Sequence, residues 1–327
     1  MLNKTSLAML ISFITSIIVG LIIIPIFKRR KIDQRLSIYL EERHKSKKDT
    51  PTMGGIIFGI STIITLIILY FLKIIQISNG LIIILITFIG YMLIGFIDDY
   101  LIIKRNNNKG LKEGEKLILE LIISIIFFLI FLLDNEPLIW IHSLNLRINI
   151  GWLYGLFILL VLLSSSNAVN ITDGLDGLAA GLSIIAFITY GIITYHTGWL
   201  DGYLDIGLFA FILVGSLMGF LVFNIHPAKI FMGDTGSLAI GSTLGAYAIL
   251  TRSEFLLIII GIVFVIETLS CVIQRIYYKF TKKRLFLMTP IHHSFEKRGF
   301  KEVDIVKLFW IVGIVSSMVA ITISIWL

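Results

Sequence analysis

The chain has 327 residues, 57% of them apolar and 15% charged, with a mean hydropathy of +0.95. Soluble domains are nearer half apolar and a quarter charged, so this chain lacks the polar residues to clothe a water-soluble core. That excludes a soluble enzyme, a disordered chain and a disulfide-stapled secreted fold. The apolar residues come in continuous runs rather than the ten-residue alternations of a β-barrel strand. The predicted class is all-α: a polytopic membrane protein of about ten transmembrane helices, each long enough for a hydrocarbon core of about 30 Å, forming a single integral membrane domain over 1–327.

In chain order the predicted spans run over roughly 7–27, 54–72, 80–98, 117–133, 151–168, 178–195, 206–223, 236–251, 255–276 and 305–327. Lys28–Lys31 closes the first as a stop-transfer cluster, which argues against a cleaved leader. Between the fourth and fifth, the alternation of Leu138-Ile139-Trp140-Ile141 predicts a small hairpin or an interfacial segment, and Trp140 and Trp152 suit the headgroup belt. Cys271 stands alone in an apolar run and reads as a structural thiol. An even number of spans puts both termini on one side. Of the 28 Lys and Arg, 24 fall in the loops after the odd-numbered spans, leaving Lys4, Lys73, Arg147 and Arg252 opposite. The positive-inside rule then predicts cytoplasmic odd loops and both termini outside. On this reading the net charge of +7 records topology and lipid contact, not nucleic-acid binding.

The unusual polar clusters all fall on the predicted cytoplasmic side. The loop before the second span carries Lys47, Lys48 and Thr50-Pro51-Thr52-Met53-Gly54-Gly55, and the third span ends in Asp98-Asp99. The fifth ends in Asn167 to Gly177, which holds Asn170, Asp173 and Asp176. The seventh ends in Asn224-Ile225-His226-Pro227-Ala228-Lys229, followed by Phe231-Met232-Gly233-Asp234. After the ninth comes Pro290-Ile291-His292-His293-Ser294-Phe295-Glu296. Adjacent carboxylates at a helix C-terminus repel each other and the negative end of the dipole. Asp98, Asp99, Asp173, Asp176 and Asp234 on one face therefore call for a cation, and hard carboxylate oxygens suit Mg²⁺ or Mn²⁺. Each acid taken singly reads equally well as a helix cap. Glycines beside these acids let a backbone approach a phosphate, and Lys47, Lys48, Lys116 and Lys229 supply positive charge. Together they predict a diphosphate site, where positioning and charge neutralisation carry phosphoryl transfer. Its place at a membrane surface suits one lipid-borne and one water-soluble reactant. A rival class, a cation-coupled transporter, would use Glu120 and Glu267 within the spans, but the acids gather at one surface instead of mid-bilayer.

These motifs, in this order from His44 to the last span, resemble the polyprenyl-phosphate N-acetylhexosamine-1-phosphate transferases. The Thr-Pro-Thr-Met-Gly-Gly loop and the Pro-Ile-His-His-Ser-Phe-Glu segment are similar to the MraY branch, which uses a phospho-N-acetylmuramoyl-pentapeptide donor. The resemblance implies transfer from UDP-N-acetylmuramoyl-pentapeptide to undecaprenyl phosphate, giving lipid I and UMP, in a bacterial plasma membrane. A related enzyme using UDP-N-acetylglucosamine is the alternative within the family. The resemblance also implies a Mg²⁺ cofactor held by Asp234 and Asp99, and a possible homodimer. Carried over by motif, Asp98 and Asp99 are the paired aspartates, and Asn170, Asp173, Lys47, His292 and His293 complete the catalytic set. Thr52 and Lys116 are implied substrate contacts, and Asn224, Phe231, Gly233 and Gln274 are implied on the nucleotide side, with Phe231 the uracil-stacking ring. Ser294 stands where the family usually has a third histidine, Asp49 where a glycine is usual, and Ile102 and Gly114 where lysines are expected.

Overall fold

The structure is a computed structural model that describes residues 2–30, 32, 50–105, 110–141, 146–196 and 204–326. Twelve helices and one two-stranded hairpin make up the described residues. They are α1 (Leu2–Arg29), α2 (Gly55–Phe71), α3 (Asn79–Arg105), α4 (Glu113–Asp134), β1 (Leu138–Ile141), β2 (Leu146–Asn149), α5 (Leu153–Thr172), α6 (Leu178–His196), α7 (Leu204–Asn224), α8 (Gly233–Leu250), α9 (Glu254–Ile260), α10 (Ile262–Thr281), α11 (Ile291–Lys297) and α12 (Glu302–Trp326). All ten predicted segments are helical. By length and composition, seven helices suffice to cross a membrane: α1, α3, α4, α5, α6, α7 and α12. The pair α9–α10 makes an eighth if it is one span.

Two differences from the sequence reading have physical causes. The ninth segment is not straight: it breaks at Gly261, and α9 and α10 diverge by 85°. The third runs on past the paired aspartates to Arg105, so Asp98 and Asp99 sit nearly two turns (about 1.7–1.9) inside a helix and not at its C-terminus. The alternating segment forms the small hairpin that was one of its two readings, β1 against β2, with Trp140 opposite Arg147, whose guanidinium lies 4.0 Å over the indole ring. Arg252, in the turn after α8, donates to the Leu138 and Glu136 carbonyls and fixes the hairpin to the helices.

At the centre stands α8. Every residue from Thr235 to Leu250 is buried, whereas α1 buries 28% of its most apolar window and exposes Leu10, Ile18 and Leu21. A helix that touches only other helices needs small side chains for close packing, not apolar bulk for lipid, and α8 is rich in Gly, Ser, Ala and Thr. Its neighbours meet it backbone to backbone. A β-carbon on Gly95 of α3 would lie 2.1 Å from the Asp234 carbonyl oxygen, and one on Gly55 of α2 2.3 Å from the Gly236 nitrogen. These contacts bring the start of α2, the end of α3, the end of α5 and the start of α8 to one end of the bundle.

Candidate active site

The segment before α2 is laced to the segment before α8. The Phe231 N–H donates to the Pro51 carbonyl (2.8 Å), Gly54 N–H to the Phe231 carbonyl (2.8 Å) and Gly55 N–H to the Met232 carbonyl (2.9 Å). Gly233, at φ +73°, turns the chain into α8. A β-carbon there would meet Asp99 Oδ2 at 2.6 Å and Thr52 Oγ1 at 2.8 Å.

The first N–H groups of a helix have no partner within it and carry its positive pole. No side chain of its own segment caps α8. Asp99 does so from α3: its Oδ2 accepts from the Thr235 N–H (2.9 Å) and hydroxyl (2.6 Å), and its Oδ1 from the Asp234 N–H (3.2 Å). The carboxylate of Asp234 itself has other partners. Its Oδ1 accepts from Asn170 Nδ2 (2.7 Å), which also donates to Ser237 Oγ (2.9 Å), and its Oδ2 lies 3.6 Å from Lys116 Nζ. Asp98 gives Oδ1 to the Leu111 N–H (2.8 Å) and faces the Asp234 carboxylate. Asp173, at the end of α5, faces Asp234, Asp99 and Asp176. Burial and then those three charges push its carboxyl well above the usual carboxylate range, against the lowering effect of the Gly233 N–H. Among the described residues, Lys116 is the one base within ion-pair distance of Asp234.

Carboxylates that face one another repel unless a proton or a cation lies between them. An all-oxygen set carrying more negative charge than Lys116 neutralises suits a hard divalent ion. Within it, the carboxylates differ. Asp99 has three of its roughly four lone-pair sites occupied by donors of α8, while Asp234 stays 27% exposed with two neighbours.

The other implied residues fall around this cluster at varying distance. Thr52 is buried, and its hydroxyl has no hydrogen-bond partner among the described residues. Phe231 is half-buried beside Gly233. Asn224 is buried and already used: its Oδ1 accepts from the Gly177 N–H (3.1 Å) and its amide donates to the Ile230 carbonyl (3.0 Å), tying the two polar loops together. His292 is fully buried, with Nδ1 3.1 Å from Glu267 Oε2. A β-carbon on Gly174 would lie 2.4 Å from His292 Nε2, so the imidazole lies against the turn that carries Asp173. His293 Nδ1 pairs with Glu296 at 2.6 Å. At the family's third histidine position, Ser294 exchanges hydrogen bonds with both the N–H and the carbonyl of Met288, closing the turn before α11. Gln274 lies on α10, its Oε1 accepting from Leu285 and Phe286 N–H (3.0 Å each). Lys47 lies outside the described residues.

Three supporting side chains escaped the sequence reading. Thr235 anchors Asp99, and Glu267, named for the rival transporter class, meets His292. Glu302, at the start of α12, accepts from the Asp176 N–H (2.7 Å), and His226 lies between the two acids, 2.9 Å from Asp176 and 3.5 Å from Glu302. Helix-start chemistry could have flagged Thr235. No local spacing signals a contact across 126 residues.

Residues 81–252 match the glycosyl transferase family 4, and residues 47–58 match the phospho-N-acetylmuramoyl-pentapeptide-transferase signature 1. The chain is 44% identical over 323 residues to the phospho-N-acetylmuramoyl-pentapeptide-transferase of Staphylococcus saprophyticus, covering 98% of each. It is 42% identical to those of Shouchella clausii, over 98% of this chain and 97% of the relative, and of Bacillus subtilis, over 97% of each. With its signature loop laced to the start of α8 and a match over nearly its whole length, the chain belongs to the phospho-N-acetylmuramoyl-pentapeptide-transferase family.

Proposed function

We propose that the chain transfers phospho-N-acetylmuramoyl-pentapeptide from its UDP-linked form to undecaprenyl phosphate, producing lipid I and UMP for peptidoglycan synthesis in a bacterial membrane. The observation that carries this reading is the convergence of Asp98, Asp99, Asp173 and Asp234 from three separate helices onto one end of the bundle, beside Lys116 and Asn170. A phosphate oxygen of the lipid attacks the β-phosphorus of the donor, the bond from that phosphorus to the bridging oxygen breaks, and UMP leaves with that oxygen. Phosphate monoesters lose their second proton near pH 6, so the nucleophile needs little activation. Asp98, which faces the cluster with one oxygen held by Leu111 N–H, takes any remaining proton. Lys116 offsets charge on the diphosphate, and Asn170 holds Asp234 in place.

Mg²⁺ fits the donor set. Asp234 is its principal ligand, and Asp99 lends one remaining lone pair while bracing the helix that presents Asp234. When bound, the ion supplies charge neutralisation on the diphosphate. An apolar cavity of ≈ 340 Å³ between α5, α8 and the α9–α10 bend, lined by Phe157, Leu160, Val161, Ile258 and Val265, supports a polyprenyl acceptor, because Ala168 and Val169 at its edge lead directly into Asn170. The 24-to-4 distribution of basic residues favours a site facing the cytoplasm with both termini outside.

The test is an assay of the purified protein with undecaprenyl phosphate and either UDP-N-acetylmuramoyl-pentapeptide or UDP-N-acetylglucosamine, following UMP. Activity with the pentapeptide donor, lost on chelation and in Asp234→Asn, is the expected result. Turnover of UDP-N-acetylglucosamine alone would refute the donor assignment, and an Asp234→Asn variant of full activity would refute the metal role.

A further inference from the structure

After α10 ends at Thr281 the chain doubles back through residues 282–290 before α11 begins at Ile291. Between these walls lies a cavity of ≈ 530 Å³. Arg275, Arg284 and Lys297 line it together with Gln274 and Thr289, and no Asp or Glu does. Three cations brought to one concavity repel one another unless an anion lies among them. All three are exposed, and none forms an ion pair with a described carboxylate. The nearest candidate by sequence, Glu296, turns away to His293. Gln274 adds a directional element. Its oxygen is fixed by the N–H groups of Leu285 and Phe286, which leaves the NH₂ of the amide to donate.

We infer that this cavity binds the peptide of the donor through its carboxylate, with Arg275, Arg284, Lys297 and the Gln274 amide as the recognising groups. The inference rests on the proposed function, which supplies a pentapeptide acylated at its amino end by the muramoyl group and therefore free at its carboxyl end. The cavity and the site adjoin through α11: the cavity wall at Thr289 is three residues from His292, whose Nε2 lies against the Gly174 turn beside Asp173. Five extended residues span up to about 17 Å. Anionic lipid headgroups are the competing occupant of basic residues near a membrane. A concave site whose one amide is pre-oriented favours a single carboxylate over a layer of headgroups.

The experiment compares the intact pentapeptide donor with the same donor carrying its peptide carboxylates as primary amides, using the full chain in nanodiscs of zwitterionic lipid. Wild type is expected to prefer the acid donor in kcat/KM by about tenfold, the scale of a charge-assisted hydrogen bond. Arg275→Gln/Arg284→Gln should lose that preference through a raised KM, and Arg284→Lys, which keeps the charge, should retain it. A wild type that turns over both donors equally well overturns the subsite and leaves the transferase reading intact. So does a double variant that keeps the preference. A double variant whose defect appears only when anionic lipid is added identifies headgroups as the occupant and overturns the subsite as well. A wild type inactive on every donor overturns both readings.

Discussion

Of the two adjacent aspartates, only Asp99 supports α8, and the two should therefore separate in stability while failing alike in activity. Asp99 is 5% exposed and receives three donors at the start of α8. Hydrogen bonds to a charged group contribute about 1.5–3 kcal/mol net, and a partly buried charge at a helix N-terminus adds up to about 2 kcal/mol. Asp99→Asn keeps one oxygen for Thr235 but turns an NH₂ toward the Asp234 N–H and removes the charge, for a cost of about 2–3 kcal/mol. Asp98→Asn keeps the oxygen that accepts from Leu111 and relieves repulsion with Asp234, so its cost stays below about 1 kcal/mol. Thermal unfolding of the chelated protein in one detergent reads the difference. At about 2–4 °C per kcal/mol for chains of 150–250 residues, Asp99→Asn melts several degrees below wild type and Asp98→Asn close to it. Turnover should vanish in both. The reasoning fails if Asp98→Asn melts as low as Asp99→Asn, or if neither moves.

Gly95→Ala forces a methyl against the Asp234 carbonyl, and overpacking of this kind costs about 1–3 kcal/mol; turnover and melting temperature should both fall, while Gly114→Ala, in open space, leaves the melting temperature unchanged. Glu267→Gln alters a buried polar contact with His292 and should destabilise by about 1–3 kcal/mol. A double variant with His292→Gln should recover part of that loss, and strict additivity in the melting curves would show that the two do not interact. Asp173 has a raised carboxyl pKa, so the folded state binds its proton more tightly than the unfolded state. Its contribution is fully present below the ordinary value of 3.8 and is lost as pH rises through the raised value. Asp173→Asn, a permanent mimic of the protonated acid, should flatten that fall in metal-free protein; a pH–stability curve parallel to wild type would count against it.

What was legible in the sequence follows from which physical signal each residue carries. Lipid-facing helices announce themselves by bulk apolar runs, so α1, α3, α4 and α12 were plain. α8 was marked by its motif, not by hydropathy, because a helix walled in by others is selected for small side chains. The acids of the site were found because a charge near a bilayer demands a partner wherever it occurs, a demand that holds without knowledge of the fold. Their division of labour was hidden. Reading Asp98-Asp99 as a helix C-terminus assumed that the helix ends at its acids, yet hydrogen bonding carries α3 past them through Tyr100-Leu101-Ile102-Ile103 to Lys104 and Arg105. The negative pole invoked for these two acids is thus replaced, for Asp99, by the positive pole of α8. That reversal changes the part Asp99 plays. A carboxylate held by three donors of another helix is committed to aligning α3 with α8, and the alignment is what aims Asp234 at Lys116 and Asn170. Glu267 and Glu302 were visible only as isolated acids, since their partners lie on other elements and such contacts leave no local period. The site therefore depends on helix ends whose relative placement is set by backbone contacts at Gly55 and Gly95, two residues that carry no chemistry and whose importance appears only once the helices are packed.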